Sequence, residues 1–279
     1  MKLSTCDFTF PKLRWEQTVR LGRDLGAEAI DVSLFQDRSH LDPTVVLANP
    51  AEWATRVMAE LRANAVGISD VFGQAAAAAE QNALNDPDES VRRRASEFFN
   101  RILDFSEACG APHLTLLPGV HFPQEGYDAS LMRSAEELAW RVDAAKKAGV
   151  ILGIEPHLGS VSSTPALAVR LLRMCPGLSL TLDYCHFACQ GIPDGEVEPL
   201  VEHASHFHAR GACKGKLQAA MKENVVDYPR VLRKMKQTGY TGFIALEYVW
   251  IEWMHCNEVD NISETILLRD LLRSADIAN

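Results

Sequence analysis

Leu178-Ser179-Leu180-Thr181-Leu182-Asp183-Tyr184-Cys185-His186 decides the reading of this chain. Branched and small residues alternate over the length of a strand, and the run stops at a carboxylate with an imidazole three positions on. An apolar run that ends in ligand-type residues is how a buried parallel strand delivers chemistry to the rim of a sheet. The design recurs three times. Residues 150–154 end in Glu155, with His157 two further; residues 205–207 lead into His208 and then Arg210; residues 243–246 end in Glu247. Four strand ends therefore present two glutamates, one aspartate and one histidine.

Outward from that stretch the chain keeps a strand–helix rhythm. Strands are expected at 2–8, 29–34, 65–71, 113–117, 150–154, 178–183, 205–208 and 243–246. Helices are expected at 15–25, 51–64, 89–109, 130–149, 165–174, 194–204, 228–237 and 261–272. The punctuation supports these limits: Gly26 stops the first helix, Thr164-Pro165 opens another, and Asp227-Tyr228-Pro229 caps a third. Residues 36–49, with Pro43, read as a loop, and 74–88 as a lid-like loop or a short helix. Eight alternations without a linker predict one domain over 1–279, an α/β single (β/α)8 TIM barrel. A doubly wound open sheet is the competitor. It lacks a Gly-x-Gly-x-x-Gly after the first strand, and the polar strand ends are spread over the whole second half.

Composition narrows the function. With 28 Lys+Arg against 37 Asp+Glu the net charge is −9, a field that repels phosphate backbones and argues against nucleic acid. The N-terminus has no apolar signal region and no run reaches the length of a membrane span, so no membrane is expected. Seven cysteines without a secreted framework predict reduced thiols and a cytoplasmic protein.

In a parallel barrel every strand end faces one mouth, so Glu155, Asp183, His208 and Glu247 should meet there. Three crowded carboxylates repel one another unless a cation neutralises them, so one divalent ion is expected. The mixed oxygen and imidazole set suits Mn²⁺, taken first, or Co²⁺, Mg²⁺ or Zn²⁺, better than Ca²⁺. Other features have plainer readings. Arg92-Arg93-Arg94 is a solvated helix face, Cys185, Cys189 and Cys213 are small thiols and not a zinc site, and His206 is expected to turn away from the mouth. His121 could line the mouth or lie on a surface loop, and Lys214 and Lys216 could hold a phosphate or stay in solvent. Trp250, Trp253 and Met254 either wall the site or fill an interface in a homo-oligomer.

Glu155, Asp183 with His186 three on, His208 with Arg210 two on, and Glu247 resemble the xylose isomerase-like TIM-barrel superfamily, which includes sugar isomerases, epimerases and the endonuclease IV group. The resemblance spans nearly the whole chain in architecture, with its specific motifs between about Gly153 and Tyr248. It implies that Glu155, Asp183, His208 and Glu247 hold the metal, with Glu155 and Glu247 also flanking the substrate as acid and base. It implies a small carbohydrate substrate, epimerised or isomerised through a cis-enediolate. His157 is a further acid/base candidate, and His186, Arg210, His121 and Lys214 are candidate substrate contacts. The chain departs from the ketose 3-epimerases at Val161 and Lys214, where they carry glutamate and arginine. It departs from endonuclease IV at Leu117-Pro118-Gly119, where that group has His-Pro-Gly. Two alternatives use the same barrel: a lyase that expels a β-substituent from the same enolate, as in C-glycoside deglycosidases, and a subunit that has lost catalysis.

Overall fold

The computed structural model describes residues 2–76 and 78–278. Among them eight parallel strands close into a barrel in sequence order: β1 (Lys2–Cys6), β2 (Ala29–Phe35), β3 (Gly67–Gln74), β4 (His113–Leu116), β5 (Ile151–Ile154), β6 (Ser179–Asp183), β7 (Ala204–Ala209) and β8 (Phe243–Leu246). β1 pairs with both β2 and β8, so no sheet edge is left exposed. Around it run α1 (Trp15–Asp24), α2 (Pro43–Val46), α3 (Pro50–Ala63), α4 (Glu89–Cys109), α5 (Tyr127–Lys147), α6 (Pro165–Met174), α7 (Tyr184–Gln190), α8 (Asp194–Val197), α9 (Tyr228–Thr238) and α10 (Asn261–Ala278). The expected (β/α)8 barrel is the observed fold. None of these helices is long and apolar enough to cross a membrane.

Helix limits follow local chemistry. Asp88 caps α4 by accepting from Ser90 N, and Gly110, at φ 67°, ends it. Thr164 caps α6 with Pro165 at its first turn. The expected strand at 65–71 starts later and runs on to Gln74, while the loop at 36–49 contains the short α2, capped by Asp42. The expected helix at 194–204 is one turn of α8 followed by a 3-10 segment, Glu198–His203. Beyond Gln74, which ends β3, the stretch to residue 88 forms turns and bends rather than a helix, with Ala77 outside the described residues. Asn85 anchors them: its Nδ2 donates to Val120 O (2.8 Å) and Ser130 O (3.0 Å).

Alternation along each strand sends one set of side chains to the helices and the other into the barrel. Leu180 and Leu182 belong to the apolar layer under the helices. The inward set is unusually polar for a fold whose interior is normally branched aliphatic. Asp31 on β2 reaches His206 on β7 (2.7 Å), His113 on β4 reaches Ser205 on β7 (2.7 Å), and Thr115 reaches Thr181 (2.6 Å). None of these pairs lies on neighbouring strands, so the bonds cross the interior. Gly153 makes the crossing possible, because a Cβ there would sit 2.5 Å from the His113 ring.

Candidate active site

Glu155, His208 and Glu247 meet at the C-terminal mouth. The Glu155 amide donates to Leu116 O (3.1 Å) and the Glu247 amide to Ala209 O (2.9 Å), so each glutamate continues its strand by one residue into the opening. His208 Nδ1 lies 2.9 Å from Glu155 Oε1 and 3.5 Å from Glu247 Oε2. Asp183 divides its oxygens: Oδ1 accepts from Cys185 N (2.8 Å) and so caps α7, while Oδ2 pairs with Arg210 Nη2 (2.8 Å). Arg210 Nη2 also lies 3.4 Å from Glu247 Oε2. The Arg210 backbone is held by the Tyr228 hydroxyl, which accepts from its amide (2.9 Å).

His186 enters from the first turn of α7. Its Nδ1 accepts from Leu158 N (3.2 Å), and its Nε2 lies 3.7 Å from both Glu155 Oε2 and Asp183 Oδ2. His157 Nδ1 donates to Leu158 O (2.9 Å), and its Nε2 is buried without a partner. All of these side chains are buried. Glu155, His157, His186, Arg210 and Glu247 line a cavity of ≈ 680 Å³ whose lining also includes Phe8, Phe35 and Phe72.

Two expected contacts are placed elsewhere. His121 is exposed, its ring 5.2 Å from that of Tyr127, and does not line the cavity. Lys214 is also exposed and lays its aliphatic stem along Gly191 at the end of α7. Lys216 pairs with Glu223 (3.0 Å). Of the aromatic cluster, Trp253 lines the cavity and Trp250 does not.

His206 requires a correction. Residues two apart on a strand share a face, so His206 points inward with His208 rather than away. It forms a buried floor one layer beneath the mouth. Asp31 Oδ2 takes the His206 Nε2 bond at 2.7 Å and lies 3.4 Å from His208 Nε2, while Ser4 Oγ donates to Asp31 Oδ1 (2.9 Å). Asp70 Oδ1 lies 2.8 Å from His113 Nδ1. This floor is absent from the strand-end reading, although the inward parity of Asp31 and His206 was available as its signal.

The electrostatics reflect this crowding. Burial acts to raise the Glu155 carboxyl, but His186 and His208 outweigh it and hold it well below the usual carboxylate range. Glu247 is pushed up to about 7 by burial, against the pull of Arg210 and His208. Burial would lower His208, yet Glu247, Asp31 and Glu155 raise it well above the ordinary imidazole value. Burial takes His157 down to about 4.

Groups of donor atoms close enough to share an ion, among the described residues, are Glu155/Asp183/His186, Cys6/His208/Glu247 and Asp31/Asp70/His206/His208. The four expected ligands are thus split between the first two groups, with the Glu155–His208 contact joining them. Cys185, Cys189 and Cys213 form no such group.

Known proteins resemble this chain. L-ribulose-5-phosphate 3-epimerase UlaE of Salmonella typhi is 24% identical over 244 residues, 85% of this chain and 83% of its own length. D-psicose 3-epimerase from Clostridium cellulolyticum H10, crystallised with D-tagatose, superposes with a TM-score of 0.76 at 14% identity over 99% of each chain. The IolI protein with a zinc atom superposes with a TM-score of 0.73 at 15% identity, over 99% of this chain and 98% of that one. At such identities the two structures speak for the fold alone. The family model described as xylose isomerase-like TIM barrel matches residues 19–271, and the chain belongs to that family.

Proposed function

We propose that this protein is a divalent-metal-dependent epimerase or isomerase of a small keto sugar. One observation carries the reading: Glu155 and Glu247 both approach His208, at 2.9 and 3.5 Å, buried at the mouth of one large cavity. The oxygen and imidazole donors of Glu155, Asp183, His208 and Glu247 fit a divalent ion such as Mn²⁺. Buried carboxylates this close need a cation, and Arg210 is the protein's own partial answer. When bound, the ion would polarise the substrate carbonyl and so make the neighbouring C–H acidic.

The residues do the rest. One glutamate takes the proton from the carbon beside the carbonyl and the other delivers a proton from the opposite face. Delivery to the same carbon inverts it, and delivery to the neighbouring carbon moves the carbonyl. His186 and Arg210 orient substrate oxygens, and the unpartnered Nε2 of His157 accepts from a substrate hydroxyl. The apolar wall of Phe8, Phe35 and Phe72 keeps water from the exposed carbanion. The L-ribulose-5-phosphate 3-epimerase relative points to the same class of substrate.

The test is metal content by elemental mass spectrometry on wild type and Glu247→Gln, with proton exchange of keto sugars followed by NMR in D₂O. About one divalent ion per chain, reduced in the variant, with deuterium entering beside the carbonyl, supports the reading. Product analysis then separates epimerisation from elimination. No ion after Mn²⁺, Co²⁺ and Zn²⁺ are offered, and no exchange, would overturn it.

A further inference from the structure

The cavity lining holds a second guanidinium besides Arg210, one that takes no part in the ion pairs at the mouth. Arg38 sits on the turn after β2 and lines the same cavity as Glu155 and Glu247. That turn is built rather than loose. Ser39 Oγ accepts from Phe35 N (2.6 Å) and meets Ser33 Oγ at 3.0 Å, and the amides of Arg38 and Ser39 both donate to Phe35 O. The guanidinium lies 5.2 Å above the Phe35 ring, and its Nη2 donates to Gln74 Oε1. Its Nε is buried and has no acceptor.

What sets Arg38 apart is its lack of a carboxylate. Among the described residues, the arginines that are buried or half-buried are Arg38, Arg92, Arg133, Arg141, Arg210 and Arg269. Each of the others pairs with an acid: Glu137 for Arg92 and Arg141, Glu125 for Arg133, Asp183 for Arg210, Asp270 for Arg269. Glu80 lines the cavity too, yet it forms no ion pair with Arg38. Drawing a guanidinium out of water without an anion is costly, and the planar fork is shaped to take two oxygens of a carboxylate or phosphate. A protein of net charge −9 repels anionic substrates at long range, so one that accepts them needs a local cation.

We propose that Arg38 receives an oxyanion, a phosphate or a carboxylate, at the end of the substrate that lies away from Glu155 and Glu247, so that the keto sugar is an anionic one. This rests on the keto-sugar reading above. A bidentate charge-assisted contact is worth roughly a ten- to hundredfold in affinity.

The experiment compares, by calorimetry on metal-loaded wild type, Arg38→Gln and Arg38→Lys, a ketopentose 5-phosphate, a keto-sugar carboxylate and the parent neutral ketopentose. Wild type should bind one of the two anions at least about tenfold more tightly than the neutral sugar, on the strength of that contact. Which anion wins identifies the group. Arg38→Gln should collapse the margin and Arg38→Lys should keep part of it, which separates lost charge from a disturbed turn. A margin absent from wild type, or undiminished in Arg38→Gln, overturns the proposal. Inorganic phosphate provides an arm independent of the reaction. If no keto sugar binds, yet phosphate raises the melting temperature of wild type and not of Arg38→Gln, the anion site stands and the keto-sugar reading falls. If phosphate also has no effect, both fall.

Discussion

Replacing Asp7 by asparagine should make the protein more stable at high pH than at low pH, relative to wild type. Asp7 follows β1 and is fully buried. Its Oδ1 accepts from Ser33 N (3.0 Å) and Ser33 Oγ (2.6 Å), and its Oδ2 has no partner. Burial outweighs the Ser33 bonds and pushes its carboxyl from 3.8 up to about 7. Between those values the native state holds a proton that the unfolded chain has released. Its contribution to stability is therefore greatest below 3.8 and is lost as pH rises through 7. A shift of this size amounts to about 4 kcal/mol in all, of which about 3 kcal/mol falls between about pH 4.5 and 8. The asparagine side chain mimics the protonated acid at every pH, so the stability difference between Asp7→Asn and wild type should grow by about 3 kcal/mol over that interval. Urea unfolding of both proteins at several pH values, with chelator present, measures it. Groups common to both proteins, Glu247 among them, cancel in the comparison. A difference that stays flat across that interval would refute the reasoning, because Asp7 would then ionise at its ordinary value.

Other perturbations probe the barrel floor and its surroundings. Asp31→Asn removes the charge facing His208 Nε2 and should weaken Mn²⁺ binding by about 10–100-fold in calorimetry, with the circular dichroism of the fold retained. Gly153→Ala drives a methyl into the His113 ring and should cost about 1–3 kcal/mol, read as a drop in melting temperature with secondary structure retained. Glu137→Ala strips Arg141, whose side chain is 1% exposed, of its 2.6 Å carboxylate partner. Loss of about 3 kcal/mol or more in urea unfolding is expected, and a change under about 1 kcal/mol would show that Glu137 O and Ser96 suffice.

Why the strand ends were legible and the floor was not follows from the topology. Glu155 and Glu247 each follow an apolar strand directly and His208 lies near the end of β7, and a parallel barrel brings such positions together whatever their separation in sequence. Strand parity then places Thr181 and Asp183, or His206 and His208, on one inner face. The partners of the floor are harder to read. Asp31 and His206 lie 175 residues apart on strands that are not neighbours, so no local pattern links them. Register irregularities between Ile30 and Asp31 and between Leu180 and Thr181 also shift which residues of adjacent strands face each other, and such bulges leave no mark in hydropathy. Arg38 lay in a stretch that reads as plain polar loop. Only its tertiary setting, over Phe35 and short of a carboxylate, distinguishes it from solvated arginines.

The polar floor also bears on how the mouth keeps its geometry. A barrel filled with leucine and valine holds its strand ends by packing alone, which tolerates small slides of one strand past another. Here hydrogen bonds run across the interior from β2 to β7 and from β4 to both β6 and β7. Each such bond is directional and costs free energy if broken in a buried setting. Sliding β7 would break the bonds of Ser205 and His206 together, so His208, two residues above His206, is tied across the interior to β2 and β4. The Glu155–His208 contact inherits that constraint through Gly153, whose missing side chain leaves room for the His113 ring. A site built on acids that repel one another needs such a frame, because repulsion would otherwise be relieved by the strands moving apart. The stability given up by burying Asp31, Asp70, His113 and His206 thus goes toward holding the carboxylates at the mouth in register.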